Sequence, residues 1–252
     1  MTAIIAHRGA SFLAPENTLA AISQALEIGV DFIEVDVRLT IDNIPVLMHD
    51  SRVNRTTNGR GSLVSYTYKT LKKLDAGSWF HSDFKGEPVP SLNEVFRKVL
   101  PSAKLLVELK GSTFSQPLFA RRILELIDKY QAEDRVIIQS FNPNLLMSIQ
   151  RENPEVEVNL LVNYFNRKLP FYSDRLPKLG NIFRFKKYQA VNPNSKWIDR
   201  KTVEKIHEEG KKVFCWTIDD PNEMAKLIEL GVDGIITNKP HILKGILKGF
   251  KA

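Results

Sequence analysis

Cysteine is nearly absent. Cys215 is the single thiol in 252 residues, so no internal disulfide can form and a disulfide-stapled scaffold is excluded. A lone thiol fits a reducing compartment. Long apolar runs are also missing: none approaches the roughly 20 residues that span a bilayer. The N-terminus has neither the basic region nor the extended apolar stretch of a secretory signal. No repeat, low-complexity tract or linker interrupts the chain. Length alone admits one large domain or two small ones. A single domain over residues 1–252 and a cytoplasmic location are the expectations.

What is present is an ordinary globular mix, 43% hydrophobic and 26% charged, long enough to bury a sizeable core. Net charge is +7, which favours anionic partners: nucleic acid, anionic lipid or a phosphorylated metabolite. Charge does not choose among them.

Strand-like and helix-like runs alternate. Strands are predicted at Ala3–His7, Asp31–Thr40, Ile44–His49, Lys104–Lys110, Arg135–Ser140, Val156–Val162, Gln189–Val191, Lys211–Ile218 and Gly234–Thr237. Helices are predicted at Thr18–Ile28 with Asn17 as cap and Gly29 as stop, and at Leu92–Leu100 behind Ser91. Further helices are predicted near Leu118–Tyr130, at Asn144–Glu152, Arg200–Glu209 and Asn222–Leu230, with a last one from His241 closing the fold. Residues 50–90 read as irregular. The strands are near-continuous apolar runs, the pattern of parallel strands covered on both faces. A TIM (β/α)8 barrel fits best, with an open doubly wound sheet as the alternative. Nine strand candidates for eight places leave one to be explained.

Three polar groups interrupt these apolar runs. The first strand ends in His7, Arg8 and Gly9. The second carries Glu34 and Asp36, two residues apart and so on one face. The LLVELKG run places Glu108 and Lys110 in the same relation. Asp42-Asn43 reads as a two-residue hairpin turn, which sets Asp36 opposite His49. Three carboxylates brought together would force protonation unless a cation joined them. Mg2+ or Ca2+, hard and oxygen-seeking, would serve. Arg8 and Lys110 supply fixed positive charge for an anionic substrate. His7 and His49 can take and give protons near neutral pH. Together these describe phosphoryl-ester chemistry. Each group also has a plainer reading: a structural histidine, a solvated E-x-D edge, an E-x-K salt bridge. Against that, an unpaired charge inside an apolar run is costly. The residues alone leave both readings open.

The order of motifs adds to this. AHRGASFLAPENTLAA (6–21), GVDFIEVDVRLTIDNIPVLMHD (29–50), RTTNGRG (55–61), LDAGSWF (74–80), FKGEPVPSL (84–92), VELK (107–110), QSF (139–141) and WTIDDPNEMAKLIELGVDGIITNKP (216–240) together resemble the glycerophosphodiester phosphodiesterase family, of TIM-barrel fold. Without the long insertion that periplasmic members carry after the HD motif, the chain is most similar to the short bacterial cytoplasmic form. The resemblance implies that His7 and His49 are the general acid/base pair. It implies that Glu34, Asp36 and Glu108 hold one divalent metal, Mg2+ or Ca2+, and that Arg8 and Lys110 contact the phosphate. Trp216 would pack against the glycerol end of the substrate or serve as a barrel-core tryptophan. The expected substrates are small phosphodiesters such as glycerophosphocholine or glycerophosphoethanolamine. One departure stands out: the closing motif carries Asn238 where the family more often has Asp.

Two rival readings remain. A lysophospholipase D would act on lysophospholipids, and residues 164–188 interleave aromatic and basic side chains that could meet a lipid tail or an anionic surface. Membrane contact is nonetheless not expected. A noncatalytic nucleic-acid-binding protein fits the charge, but no nucleic-acid motif is present and the carboxylates argue against it.

Overall fold

The computed structural model describes residues 2–110, 116–162 and 188–250. Each strand of the barrel alternates between an outer face packed on helices and an inner face lining the barrel. In β2 (Phe32–Leu39), Ile33, Val35 and Val37 join the main core, and in β4 (Lys104–Leu109) so do Leu105, Val107 and Leu109. The core is completed from the helical side by Ile22 of α1 (Leu19–Ile28), Phe96 of α3 (Leu92–Val99) and Phe119 and Ile123 of α4 (Gln116–Tyr130). The alternate residues point inward. There Ile5, Leu106, Ile137, Phe214 and Ile236 form a small apolar plug, and Glu34, Asp36 and Glu108 interleave with it along β2 and β4. Full burial of both faces is why these strands read as continuous apolar runs.

The remaining elements follow in βα order. β1 is Ala3–His7, β5 Val136–Ser140, α5 Pro143–Glu152, β6 Glu157–Val162 and β7 Ala190–Pro193. Then come α6 (Arg200–Glu208), β8 (Lys212–Cys215), α7 (Pro221–Glu229), β9 (Gly234–Thr237) and α8 (Pro240–Gly249). The parallel strands run in the order β1, β9, β8, β7, β6, β5, β4, β2, and β1 pairs with β2 to close the ring. This is the eight-stranded (β/α)8 barrel, not the open sheet. Among the described residues, no helix is long and apolar enough to cross a membrane.

The ninth strand is β3 (Pro45–Leu47), antiparallel to β2 and outside the ring. It belongs to an excursion between β2 and α3 that includes α2 (Tyr68–Leu71) and packs its own apolar cluster of Val46, Met48, Val53, Leu63, Leu71, Ala76 and Val89. Some expectations need correcting here. The hairpin loop has three residues, not two: Thr40 N–H donates to Ile44 O (3.1 Å), and Asn43 alone has a positive φ, 58°. Val37 therefore pairs with Leu47, and Met48 N–H, not His49, bonds to Asp36 O (3.0 Å). A three-residue loop with a left-handed last residue shifts the register by one. Helix α1 is capped by Thr18, whose side chain accepts from Ala21 N–H, while Asn17 is engaged elsewhere. The late strand predicted at Lys211–Ile218 spans only Lys212–Cys215, and the chain beyond it turns into the mouth of the barrel.

Candidate active site

The rim at the strands' carboxyl ends begins with the break after β1. Gly9 has φ 82°, and a Cβ there would lie 2.6 Å from the Ala21 carbonyl carbon, so only glycine lets the turn pass so close to α1. Arg8 is also left-handed, at φ 56°. Its N–H donates to Glu34 Oε2 (3.0 Å), which ties the turn to the barrel interior.

Glu34, Asp36 and Glu108 each offer a carboxylate oxygen within 4.8 Å of the others, and all three are buried. Asp36 is the hub. Arg8 Nε lies 2.9 Å from its Oδ2, Lys110 Nζ 3.1 Å from its Oδ1, and Asn17 Nδ2 donates to Oδ2 over 2.9 Å. Burial opposes its ionisation, but Arg8 and Lys110 prevail and hold its carboxyl well below the usual range. Lys110 Nζ also lies 2.5 Å from Glu108 Oε1. Glu108 is nonetheless pushed up to about 7, by burial and then by the charge of Asp36. Glu34 rises well above its ordinary value for the same two reasons, and Gln139 Nε2 reaches its Oε1 only at 3.4 Å. Asp36 Oδ1 and Glu108 Oε1 face Lys110 without any well-aimed hydrogen bond. Three buried, mutually repelling oxygen donors with such unspent acceptors fit a hard divalent cation.

Both imidazoles are held through Nδ1. His7 Nδ1 is 2.6 Å from Asn238 Oδ1, and its Nε2 is 4.0 Å from Glu34 Oε2. Burial, reinforced by Arg8, lowers its pKa to about 4. His49 Nδ1 is 2.6 Å from Asp50 Oδ1. Burial lowers it too, against the pull of Asp36 and Asp50. Arg38 supports this loop by donating to His49 O (2.9 Å) and Lys110 O (3.0 Å).

His7, Arg8, Glu34, His49, Glu108, Lys110 and Trp216 line one cavity of about 250 Å³. Its far wall is apolar, with Phe141, Leu161 and Ile236. Trp216 stands edge-on to Phe141, ring centroids 5.6 Å apart, and donates from Nε1 to Asn192 O (2.7 Å). The structure thus brings every sequence-predicted site residue to one place, with Asp36 just beneath the cavity. It adds residues that sequence reasoning gave no part in the site. Glu16 joins Arg8 (2.8 Å) to Arg55 (2.8 Å), and Arg55 reaches Asp50 (2.8 Å), so one chain of ion pairs links both histidine loops. Asn17 grips Asp36 from both sides, since Asp36 N–H also donates to Asn17 Oδ1 (3.1 Å). The PEN stretch that carries Glu16 and Asn17 was their available signal. Residues 164–187 of the aromatic and basic stretch lie outside the described residues.

A closed barrel that gathers titratable side chains at its carboxyl rim defines a TIM-barrel enzyme. The profile of the Glycerophosphoryl diester phosphodiesterase family matches residues 7–242, and the chain belongs to this family of phosphoric diester hydrolases. The glycerophosphodiester phosphodiesterase of Caldanaerobacter subterraneus subsp. tengcongensis is 37% identical, over 98% of each chain. That of Bacillus altitudinis is 32% identical, over 95% of this chain and 96% of its own. Among solved structures, the Oleispira antarctica phosphodiesterase in complex with the product sn-glycerol-3-phosphate superposes with a TM-score of 0.89. It is 28% identical, covering 98% of this chain and 97% of its own.

Proposed function

We propose that this chain hydrolyses glycerophosphodiesters to sn-glycerol 3-phosphate and an alcohol. The observation that carries the reading is that two imidazoles, two cations, Glu34 and Glu108 meet in one cavity, with Asp36 clustered on the two glutamates. The Oleispira relative, bound to sn-glycerol-3-phosphate, supports the product.

Glu34, Asp36 and Glu108 would hold the divalent metal, which when bound supplies Lewis-acid stabilisation of a phosphate oxygen. Arg8 and Lys110 flank Asp36 and face the cavity, where they bind the phosphate and oppose its growing negative charge. His7 and His49 present Nε2 to the cavity because Nδ1 is engaged behind each ring. One takes the proton of the attacking water or glycerol 2-hydroxyl, and the other gives a proton to the leaving alcohol; where the 2-hydroxyl attacks, water then opens the cyclic phosphate to sn-glycerol 3-phosphate. Trp216, Phe141 and Leu161 form the apolar wall against which the carbon skeleton of the glycerol packs.

Purified protein with glycerophosphocholine, assayed with Mg2+, with Ca2+ and with chelator, tests the reading. Release of sn-glycerol 3-phosphate with metal and none with chelator is expected. No release with either metal would overturn it, and release from an acylated lysophospholipid alone would reassign the substrate.

A further inference from the structure

The closing motif Thr237-Asn238-Lys239-Pro240 carries the residue that touches His7 through Nδ1. Asn238 Oδ1 lies 2.6 Å from His7 Nδ1 and accepts from Ser11 Oγ at 2.7 Å. An amide has two ends, and which end faces His7 decides which imidazole nitrogen carries the proton. Asp219 settles this. Its Oδ1 accepts from Asn238 N–H (2.9 Å) and from Thr237 Oγ1 (3.0 Å). Its Oδ2 lies 2.6 Å from Asn238 Nδ2. A carboxylate only accepts, so the NH2 end of Asn238 must turn to Asp219 and the carbonyl end to His7.

We infer that Asn238 is a positioning residue, locked in direction by Asp219, that holds His7 as the Nδ1–H tautomer and leaves the Nε2 lone pair on the cavity side. The chain of donors runs one way: His7 Nδ1–H to Asn238, and Asn238 Nδ2–H to Asp219. This gives the asparagine a reason. An aspartate at 238 would set two carboxylates face to face over the 2.6 Å now spanned by a hydrogen bond. It also separates the two histidines. His49 is backed by a carboxylate, Asp50, and His7 by a neutral amide.

The inference rests on reading His7 as a proton-transfer group, but its first test needs no turnover. In protein labelled with 15N-histidine, a correlation spectrum of the ring nitrogens separates the tautomers, and a His7→Gln variant assigns the signal. Wild type should show His7 protonated at Nδ1. Asp219→Asn keeps the shape of the site and reverses its polarity: the new amide donates to Asn238, which turns its own NH2 toward His7. The His7 signal should then move to the Nε2–H form. In the same variant kcat should fall about 10- to 100-fold, with KM changed much less. Ser11→Ala, which removes a donor but leaves the lock, should change neither. Asn238→Ala should mix the tautomers. An Nε2–H His7 in wild type, or an unchanged tautomer in Asp219→Asn, would overturn the inference. So would a tautomer shift with kcat unchanged. A wild type without phosphodiesterase activity would fail the proposed function, while the spectra would still decide the tautomer.

Discussion

Arg8 Nε and Asp36 Oδ2 lie 2.9 Å apart, with the carboxylate wholly buried inside the barrel. A buried charge that loses one partner costs more than the pair contributed, because it stays desolvated. Arg8→Ala leaves Asp36 only Lys110 and Asn17. The variant should lose roughly 3 kcal/mol of stability as well as phosphate binding. Urea unfolding beside substrate titration checks both, and an unchanged midpoint would show that Lys110 alone compensates Asp36.

His7→Ala and His49→Ala should each cut kcat by about 10²- to 10⁴-fold, the range of a positioned general acid or base. Neither ring is part of the apolar core, so far-UV dichroism and the thermal midpoint should stay close to wild type. A fully active variant of either residue would remove that histidine from the mechanism.

The carboxylate cluster should show itself in binding as well as in rate. Mg2+ or Ca2+ should raise the thermal midpoint of wild type, since a ligand that binds only the folded state stabilises it by mass action. Glu108→Gln removes one of the three donors and should shrink that rise. Isothermal titration would give the same order of affinities. An equal shift in wild type and Glu108→Gln would exclude Glu108 as a ligand.

At the N-terminus of α3, Glu94 caps the helix in a reciprocal pair with Ser91 and takes hydrogen bonds from Lys72 (2.5 Å) and Tyr68 (2.5 Å). Burial opposes its ionisation, but these bonds prevail and hold its carboxyl down at about 2. A depressed acid stabilises the fold above its unfolded pKa and loses that contribution as pH falls through the folded one. Wild type should exceed Glu94→Gln by about 1–2 kcal/mol at neutral pH, allowing for solvent screening at a partly exposed site. The gap should close between about pH 4.5 and 2. Unfolding of both proteins over that range tests this, and a gap that persists at the acid end would assign the effect to capping geometry.

The alternation of apolar runs with capped helices was enough to predict a covered parallel sheet, because covering both faces of a parallel strand demands continuous Val, Ile and Leu. Strand count favoured the barrel over an open doubly wound sheet, and the pairing of β1 with β2 decided it. The ninth strand candidate was explicable for a related reason: a hairpin needs no crossover helix. The register of that hairpin was not legible. Asp42-Asn43 suits a two-residue turn, yet Tyr68 N–H binds the Asp42 side chain and Ile41 N–H donates to Tyr66 O, so distant residues help set the wider loop. A prediction that paired Asp36 with His49 across the strands placed the right residues together by the wrong route.

Local sequence determined which side chains share a face: Glu34 with Asp36, and Glu108 with Lys110, because side chains alternate along a strand. Tertiary structure decided which faces meet. Closing β1 against β2 set His7 beside Glu34, and the return of β9 brought Asn238 to His7 across 231 positions of sequence. It also decided the charge each group carries. Asp36 and Glu108 are ordinary carboxylates in sequence. Only burial and the placement of Arg8 and Lys110 drive one down and leave the other near neutrality, since desolvation and Coulomb forces depend on neighbours in space.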